Sequence, residues 1–153
     1  MDAVHDEIFA EVNYHAAVEP MRAVRTTRHK YIRCFDLHRG PILPNCDDSV
    51  SKSVLLARGW RHRDRCAEYL FDLIFDPNEA ANVVGDPGYT DILHEMRDRL
   101  TQWMRESNDP LLSGGLDPWP GMVVNRVEDA SAQGPTVPAQ PCALQPPTRE
   151  AAE

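Results

Sequence analysis

Residues 86–104 read DPGYTDILHEMRDRLTQWM and contain the strongest structural pattern in the chain. Apolar side chains recur there every three or four residues, a spacing that aligns them along one side of an α-helix. Asp86 is suited to cap the first turn and Pro87 to occupy the first helical position, where its missing N–H costs nothing. The pattern predicts one long helix that ends at Asp109-Pro110. Its buried stripe is expected to consist of Tyr89, Ile92, Leu93, Met96, Leu100, Trp103 and Met104.

Four segments before this helix predict β-strands. Residues 8–15 alternate with a period of two, which predicts a strand with one well-buried face. Ser49 is expected to cap a short helix between the third and fourth strands. Together these elements predict an α+β fold, a small four-stranded antiparallel sheet packed by one long C-terminal helix. The remaining strands are predicted at 21–26, 30–35 and 67–73, and the buried face of the first at Ile8, Ala10, Val12 and Tyr14.

Proline content divides the chain into two parts. The last residues combine five prolines with Ala, Gln and Thr and hold too little apolar surface to offset the entropy of ordering them. We therefore expect a folded unit over residues 1–120 and a disordered Pro/Ala-rich tail over residues 121–153.

Length and charge exclude several classes of protein. The 153 residues suit one domain, and the formal net charge of -8 opposes non-specific binding to nucleic acid. The longest apolar runs are a few residues, whereas a membrane-spanning helix needs about 20. The first 15 residues, MDAVHDEIFAEVNYH, are acidic and interrupted, unlike a secretory signal. The sequence therefore predicts no nucleic-acid partner and no membrane insertion, and it leaves the compartment open.

One set of residues has the spacing of a structural zinc site. Cys34 and His38 are separated by three residues, as are His62 and Cys66. If the third strand continued through residue 38, its two ligands would stand about 13 Å apart, too far for a tetrahedral site. Only a tight turn at Asp36 would bring them together, so we expect no metal site and keep a small zinc module as an alternative.

The run RGWRHRDR, residues 58–65, has two interpretations. It is either a solvated turn before the fourth strand or a surface that contacts anions, because the arginine fork matches sulfate and phosphate geometry.

A series of motifs then carries a family resemblance. The sequence from Ile8 to Leu112 resembles the C-terminal subdomain of the sulfatases, in the alkaline-phosphatase-like superfamily, and is most similar to the heparan N-sulfatase (sulfamidase) type. In that family the subdomain is a four-stranded antiparallel sheet with a C-terminal helix. The matching motifs are FAEVNYH (9–15), PMRAVRT (20–26), YIRCF (31–35), EYLFDLIFDPNEAAN (68–82), Trp103 and Asp109-Pro110.

The resemblance implies hydrolysis of sulfate esters or sulfamates by a formylglycine, made from the Cys or Ser of a C/S-x-P-x-R motif, beside a calcium ion. The sequence contains no such motif. In the family these groups belong to a preceding α/β domain, so the resemblance implies no catalytic residue, metal ligand or cofactor in this chain. By the same resemblance His15 and Arg22 are the expected substrate-binding contacts.

Two main hypotheses follow. The chain is the C-terminal portion of a sulfatase, inactive alone, whose partners are the missing catalytic domain and a sulfated glycan or other sulfated substrate. Alternatively, it is a stand-alone module that binds an anionic glycan or a protein. Sulfatases of this type are usually exported or lysosomal. An apolar surface patch including Phe9, Val12 or Leu55 would favour the first hypothesis, because monomers rarely expose large contiguous apolar areas.

Overall fold

A computed structural model describes residues 5–142 and 144 of the chain. Its main body is a four-stranded antiparallel sheet with the strands in sequence order, β1-β2-β3-β4. One long helix, α2, packs on it, which confirms the predicted α+β fold. The strands and helices are β1 (Glu7–Tyr14), β2 (Val18–Thr26), β3 (His29–Cys34), α1 (Val50–Ala57), β4 (Glu68–Asp72), α2 (Thr90–Glu106), β5 (Val123–Val124) and β6 (Val137–Pro138).

Helix α2 begins three residues later than its predicted first residue, Pro87. The Asp86 carboxylate accepts a hydrogen bond from the Gly88 N–H, but the turn that it caps, Pro87–Tyr89, is a 3₁₀ turn. The α-helix itself starts at Thr90. Serine 49 caps α1 as predicted, since Ser49 Oγ accepts from the Lys52 N–H at 3.1 Å.

The core lies between α2 and one face of the sheet. Four residues directly opposite one another across the strands, Phe9, Val24, Tyr31 and Leu70, form a row on this face. Three of them are buried, and the Phe9 ring stacks on Trp103 with 5.0 Å between ring centroids. We call this the inner face. The helix contributes Leu93, Met96, Leu100 and Met104 to the same core.

The predicted buried face of β1 is wrong. Ile8 is 60% exposed and Val12 40%, because α2 covers the opposite side of the strand, where Phe9 lies. Residues 8 and 9 are both apolar, so either set of alternate positions could have been buried. The period of two was predicted correctly, but the face depends on where the helix packs.

The described part of the chain beyond residue 120 contains two short strands. Strands β5 and β6 pair with each other, and the Asn125 N–H donates to Ala16 O at 2.8 Å. Val124 and Asn125 are buried, because this segment lies against the body of the protein. Residue 143 and residues 145–153 lie outside the described residues.

Within residues 5–142 and 144, no helix combines the length and hydropathy needed to cross a membrane.

Candidate functional site

The two predicted substrate contacts lie in different environments at one end of the sheet. His15 is exposed in the turn that joins β1 to β2, where its backbone N–H donates to Ala17 O at 3.2 Å. Arg22, in the middle of β2, is only 1% exposed. His15 is therefore accessible to a solute as the chain stands, whereas Arg22 lies inside the protein.

The Arg22 guanidinium is held by a two-point ion pair. Nε donates to Oδ2 of Asp109 at 2.5 Å and Nη2 donates to Oδ1 at 3.1 Å. Nη1 donates to Oδ1 of Asn13 at 2.8 Å and to the carbonyl oxygens of Met21 and Val12 at 2.9 and 3.1 Å. Such a fork-to-fork pair is directional as well as strong. It ties β1, β2 and the turn after α2 to one another.

Asp109 is the partner that the sequence analysis missed. The sequence indicates Asp109-Pro110 as the end of the long helix and as one of the motifs that resemble the sulfatases. In the structure the Asp109 carboxylate also accepts the Leu111 N–H at 2.9 Å, which caps the 3₁₀ turn Pro110–Leu112. In the sequence Asp109 is a single carboxylate at a turn, and nothing beside it indicates that its partner Arg22 lies 87 positions away.

A second ionic cluster lies at the same end of the molecule. Arg65 Nη1 donates to Oε1 of Glu19 at 2.8 Å, and Nη2 donates to both carboxylate oxygens of Asp36. Asn45 Nδ2 donates to the other Glu19 oxygen at 2.7 Å. The last residue of the basic run is thus bound inside the protein and fastens the β3–β4 connection to β2.

The four residues with zinc-like spacing do not form a metal centre in the structure. The chain does turn at Asp36, whose Oδ1 accepts the His38 N–H at 2.9 Å. Even so, the described residues contain no group of three or more His, Cys, Asp or Glu side chains arranged to hold a metal ion. Burial raises the pKa of the Cys34 thiol to about 11, which disfavours the thiolate that zinc requires.

We call the face of the sheet opposite α2 the outer face, and it carries an apolar row beside two cationic positions, Arg25 and Lys30. Ala10, Ala23, Ile32 and Tyr69 stand directly opposite one another across the four strands. The β1 side chains on this face, those of Ile8, Ala10 and Val12, are exposed, and the side chains farther across it are half-buried. Phe9 is not part of this patch, because its ring packs on the inner face.

Comparison with known proteins gives a consistent result. No protein-family model matches the chain. Over 93 residues the chain is 30% identical to an ulvan-active sulfatase from Formosa agariphila, a match that covers 60% of this chain and 18% of that protein.

Two solved structures resemble the fold. A 2-O GAG sulfatase matches with a TM-score of 0.50 and 25% identity over 86% of this chain and 23% of its own. A candidate sulfatase from Bacteroides thetaiotaomicron matches with a TM-score of 0.51 and 23% identity over 87% and 24% of the two chains, which shows the fold alone. The chain is thus similar to sulfatases and spans about a fifth to a quarter of their length.

Proposed function

We propose that this chain is the C-terminal portion of a sulfatase, a sulfuric ester or sulfamate hydrolase of the heparan N-sulfatase type. It acts as a supporting lobe beside a catalytic lobe. The similarity to sulfatases over about a quarter of their length supports this assignment. Formylglycine and calcium have no fitting residues here, since the sequence lacks the C/S-x-P-x-R motif and the described residues form no metal-ligand cluster.

The observation that carries the proposal is the outer face. Exposed Ile8 and Val12 flank an apolar row that crosses all four strands, and the positions opposite Ile8 on β2 and β3 are Arg25 and Lys30. A free monomer rarely leaves such a surface open, because burying apolar area contributes about 25 cal/mol per Å². The catalytic lobe is the occupant that we propose, since it is the part of the sulfatase relatives that this chain does not match.

The exposed turn at His15 gives the lobe a second role. We propose that His15 contacts the anionic group of the substrate and that Arg22 positions this end of the sheet through Asp109. A cationic side chain can stabilise charge that develops on sulfate oxygens, but sulfuryl transfer also needs an activated nucleophile. The chain alone is therefore expected to be inactive.

The coding DNA upstream of Met1 provides the first test. We expect an in-frame C/S-x-P-x-R motif there. The joined polypeptide should release inorganic sulfate from glucosamine N-sulfate, while the 153-residue chain releases none. Release by the purified 153-residue chain, free of contaminating hydrolase, would contradict the proposal. Release from 4-nitrophenyl sulfate but not from the sulfamate would overturn only the heparan N-sulfatase type.

The outer face is tested separately in the joined polypeptide. Val12→Glu should abolish sulfate release, because a carboxylate would be buried between the two lobes. Val50→Glu is the matched control, since Val50 is 83% exposed on α1, away from the sheet. Equal activity of the two variants would exclude the outer face as the docking surface.

A further inference from the structure

The sheet has one covered edge, at β4, and one open edge, at β1. At β4 the Leu70 N–H donates to Asn82 Oδ1 at 2.9 Å, and the Val83 N–H donates to Leu70 O at 2.9 Å. Asn82 Nδ2 also donates to Glu68 O at 3.0 Å, so the segment after β4 takes the place of an additional strand. Among residues 5–142 and 144, no segment does this for β1, which pairs only with β2.

The backbone groups at the open edge follow from the pairing of the strands. The Phe35 N–H donates to Pro20 O at 2.9 Å, so every second residue of β2 from Pro20 onward bonds to β3, and the residues between them bond to β1. Their partners in β1 are Ile8, Ala10 and Val12. The backbone N–H and C=O groups of Phe9 and Glu11 therefore point away from the sheet. Such unpaired groups are a template for an added strand.

The inner side of this open edge is acidic. A cavity of about 390 Å³ lies between β1 and α2, and its walls carry four carboxylates and one guanidinium. The guanidinium, that of Arg99, donates to Glu7 Oε2 at 2.6 Å and to Glu95 Oε1 at 2.8 Å. The other two carboxylates, those of Asp98 and Glu106, have no cationic partner within the described part of the chain. The cavity therefore favours a cation beside β1.

We propose that the open edge of β1 binds an extended basic segment of a separate protein as an added strand. Side chains alternate between the two faces of a strand, so every second one lies on the inner side, where Lys or Arg meets the acidic cavity. The others lie beside the exposed side chains of Ile8 and Val12 and are apolar. A second copy of this chain is a poorer partner, because its own β1 and α2 would bring the same carboxylates together.

The inference goes beyond the proposed function, since it concerns the edge of the sheet. The catalytic lobe is proposed to dock on the outer face, whereas the cations of this segment lie on the side of α2.

The test is amide hydrogen exchange of the 153-residue chain, followed by NMR, with the peptide Lys-Val-Lys-Val-Lys-Val-Lys. The Phe9 and Glu11 N–H groups should exchange about tenfold more slowly with the peptide bound, because they gain hydrogen bonds. The Ala10 N–H, which already bonds to β2, is the internal reference and should change little. Two control peptides should give no protection. One has Glu in place of Lys, and the other keeps the charges but has methylated backbone nitrogens.

The variants separate strand addition from general charge. Glu11→Pro removes an N–H that faces the open edge and no bond to β2, so the chain should fold and lose peptide binding. Glu11→Ala removes the charge alone and should still bind the peptide. Asp98→Lys, at the cavity wall, should weaken binding about tenfold. Asp64→Lys makes the same change of charge at an exposed position outside the walls and should bind normally.

Several results would overturn the proposal. They are no protection of the Phe9 and Glu11 N–H groups, protection by either control peptide, equal binding by Glu11→Pro and Glu11→Ala, and equal effects of the two lysine variants. Protection that rises with protein concentration without peptide would assign the edge to a second copy. Loss of peptide binding in the joined polypeptide would assign the edge to the catalytic lobe. Either of these results would overturn the assignment to a separate protein.

Discussion

The two faces of the sheet have the same strands and registers but opposite surroundings. The inner face meets α2 and buries Val24, Tyr31 and Leu70 almost completely. The outer face is just as apolar at Ile8 and Val12, yet these side chains are exposed. Apolar composition alone therefore does not locate the core of this protein. The face that α2 covers stabilises the fold, and the other is the face that we propose for docking of the catalytic lobe.

Loss of the Asp109 carboxylate should have the largest effect on stability. Asp109→Ala removes the buried carboxylate that neutralises Arg22 and leaves only the exposed carboxylate of Glu11 at 3.7 Å, and breaking a buried pair from one side costs about 3–5 kcal/mol. Urea unfolding followed by circular dichroism measures the loss. Asp98→Ala, at an exposed position of α2, is the control and should change the free energy of unfolding little. A loss below about 1 kcal/mol for Asp109→Ala would contradict a structural role for this pair.

A truncation on each face compares the two directly. Leu100→Ala, at a position 1% exposed against the inner face, should cost about 2–5 kcal/mol because it leaves a cavity in the core. Val12→Ala on the outer face should cost less than about 1 kcal/mol in the 153-residue chain, since its side chain already contacts water. Similar losses in the same urea experiment would show that the outer face is covered in solution.

The cap of α1 tests an element that belongs to neither face. Ser49→Ala removes the acceptor for the Lys52 N–H and should cost about 1 kcal/mol. Ser49→Asp keeps an acceptor at this position and should retain most of the stability. A loss as large as that of Leu100→Ala would mean that α1 is part of the main core.

The smallest effect is expected for the pH dependence of a pair at the edge of the inner face. Hydrogen bonds from Arg28 lower the pKa of Asp72 to about 2. The ionised Asp72 contributes its full stabilisation of the folded state above the ordinary carboxyl pKa. This stabilisation declines as the pH falls from about 4 toward 2, because Asp72 is protonated in the unfolded chain before it is protonated in the folded one.

Unfolding measured between pH 6 and pH 2 should therefore show a shallower decline for Asp72→Asn than for the unchanged chain. Arg28 is half-exposed, so 0.5 M salt should reduce the difference. The same decline of stability with pH in both proteins would show that the pair with Arg28 does not stabilise the ionised carboxylate of Asp72.

The sheet and helix could be predicted because their signals are local. The three- and four-residue spacing from Tyr89 to Met104 and the alternation in β1 follow from the geometry of single elements. The Ser49 cap was predictable for the same reason, since it involves residues three positions apart. The start of α2 was missed by three residues, because Asp86-Pro87 suits a 3₁₀ turn as well as an α-helix.

The candidate site was harder to predict than the sheet and helix, because its residues contact partners that are distant in the sequence. His15 is the last residue of the predicted first strand, and the structure places it in the turn directly after β1, which ends at Tyr14. The environment of Arg22 could not be predicted, because its partner Asp109 is distant in sequence and the fold alone makes them neighbours. The burial of Arg65 in the basic run is of the same kind, since its partners Glu19 and Asp36 are distant in sequence.

The amino-acid sequence by itself determined the element types, their order and the resemblance to sulfatases, because spacing and motif order are properties of neighbouring residues. Only the tertiary structure decided which face of the sheet is covered and which arginines are held in buried ion pairs. These outcomes depend on packing between distant segments, where one helix can cover only one of two similar faces.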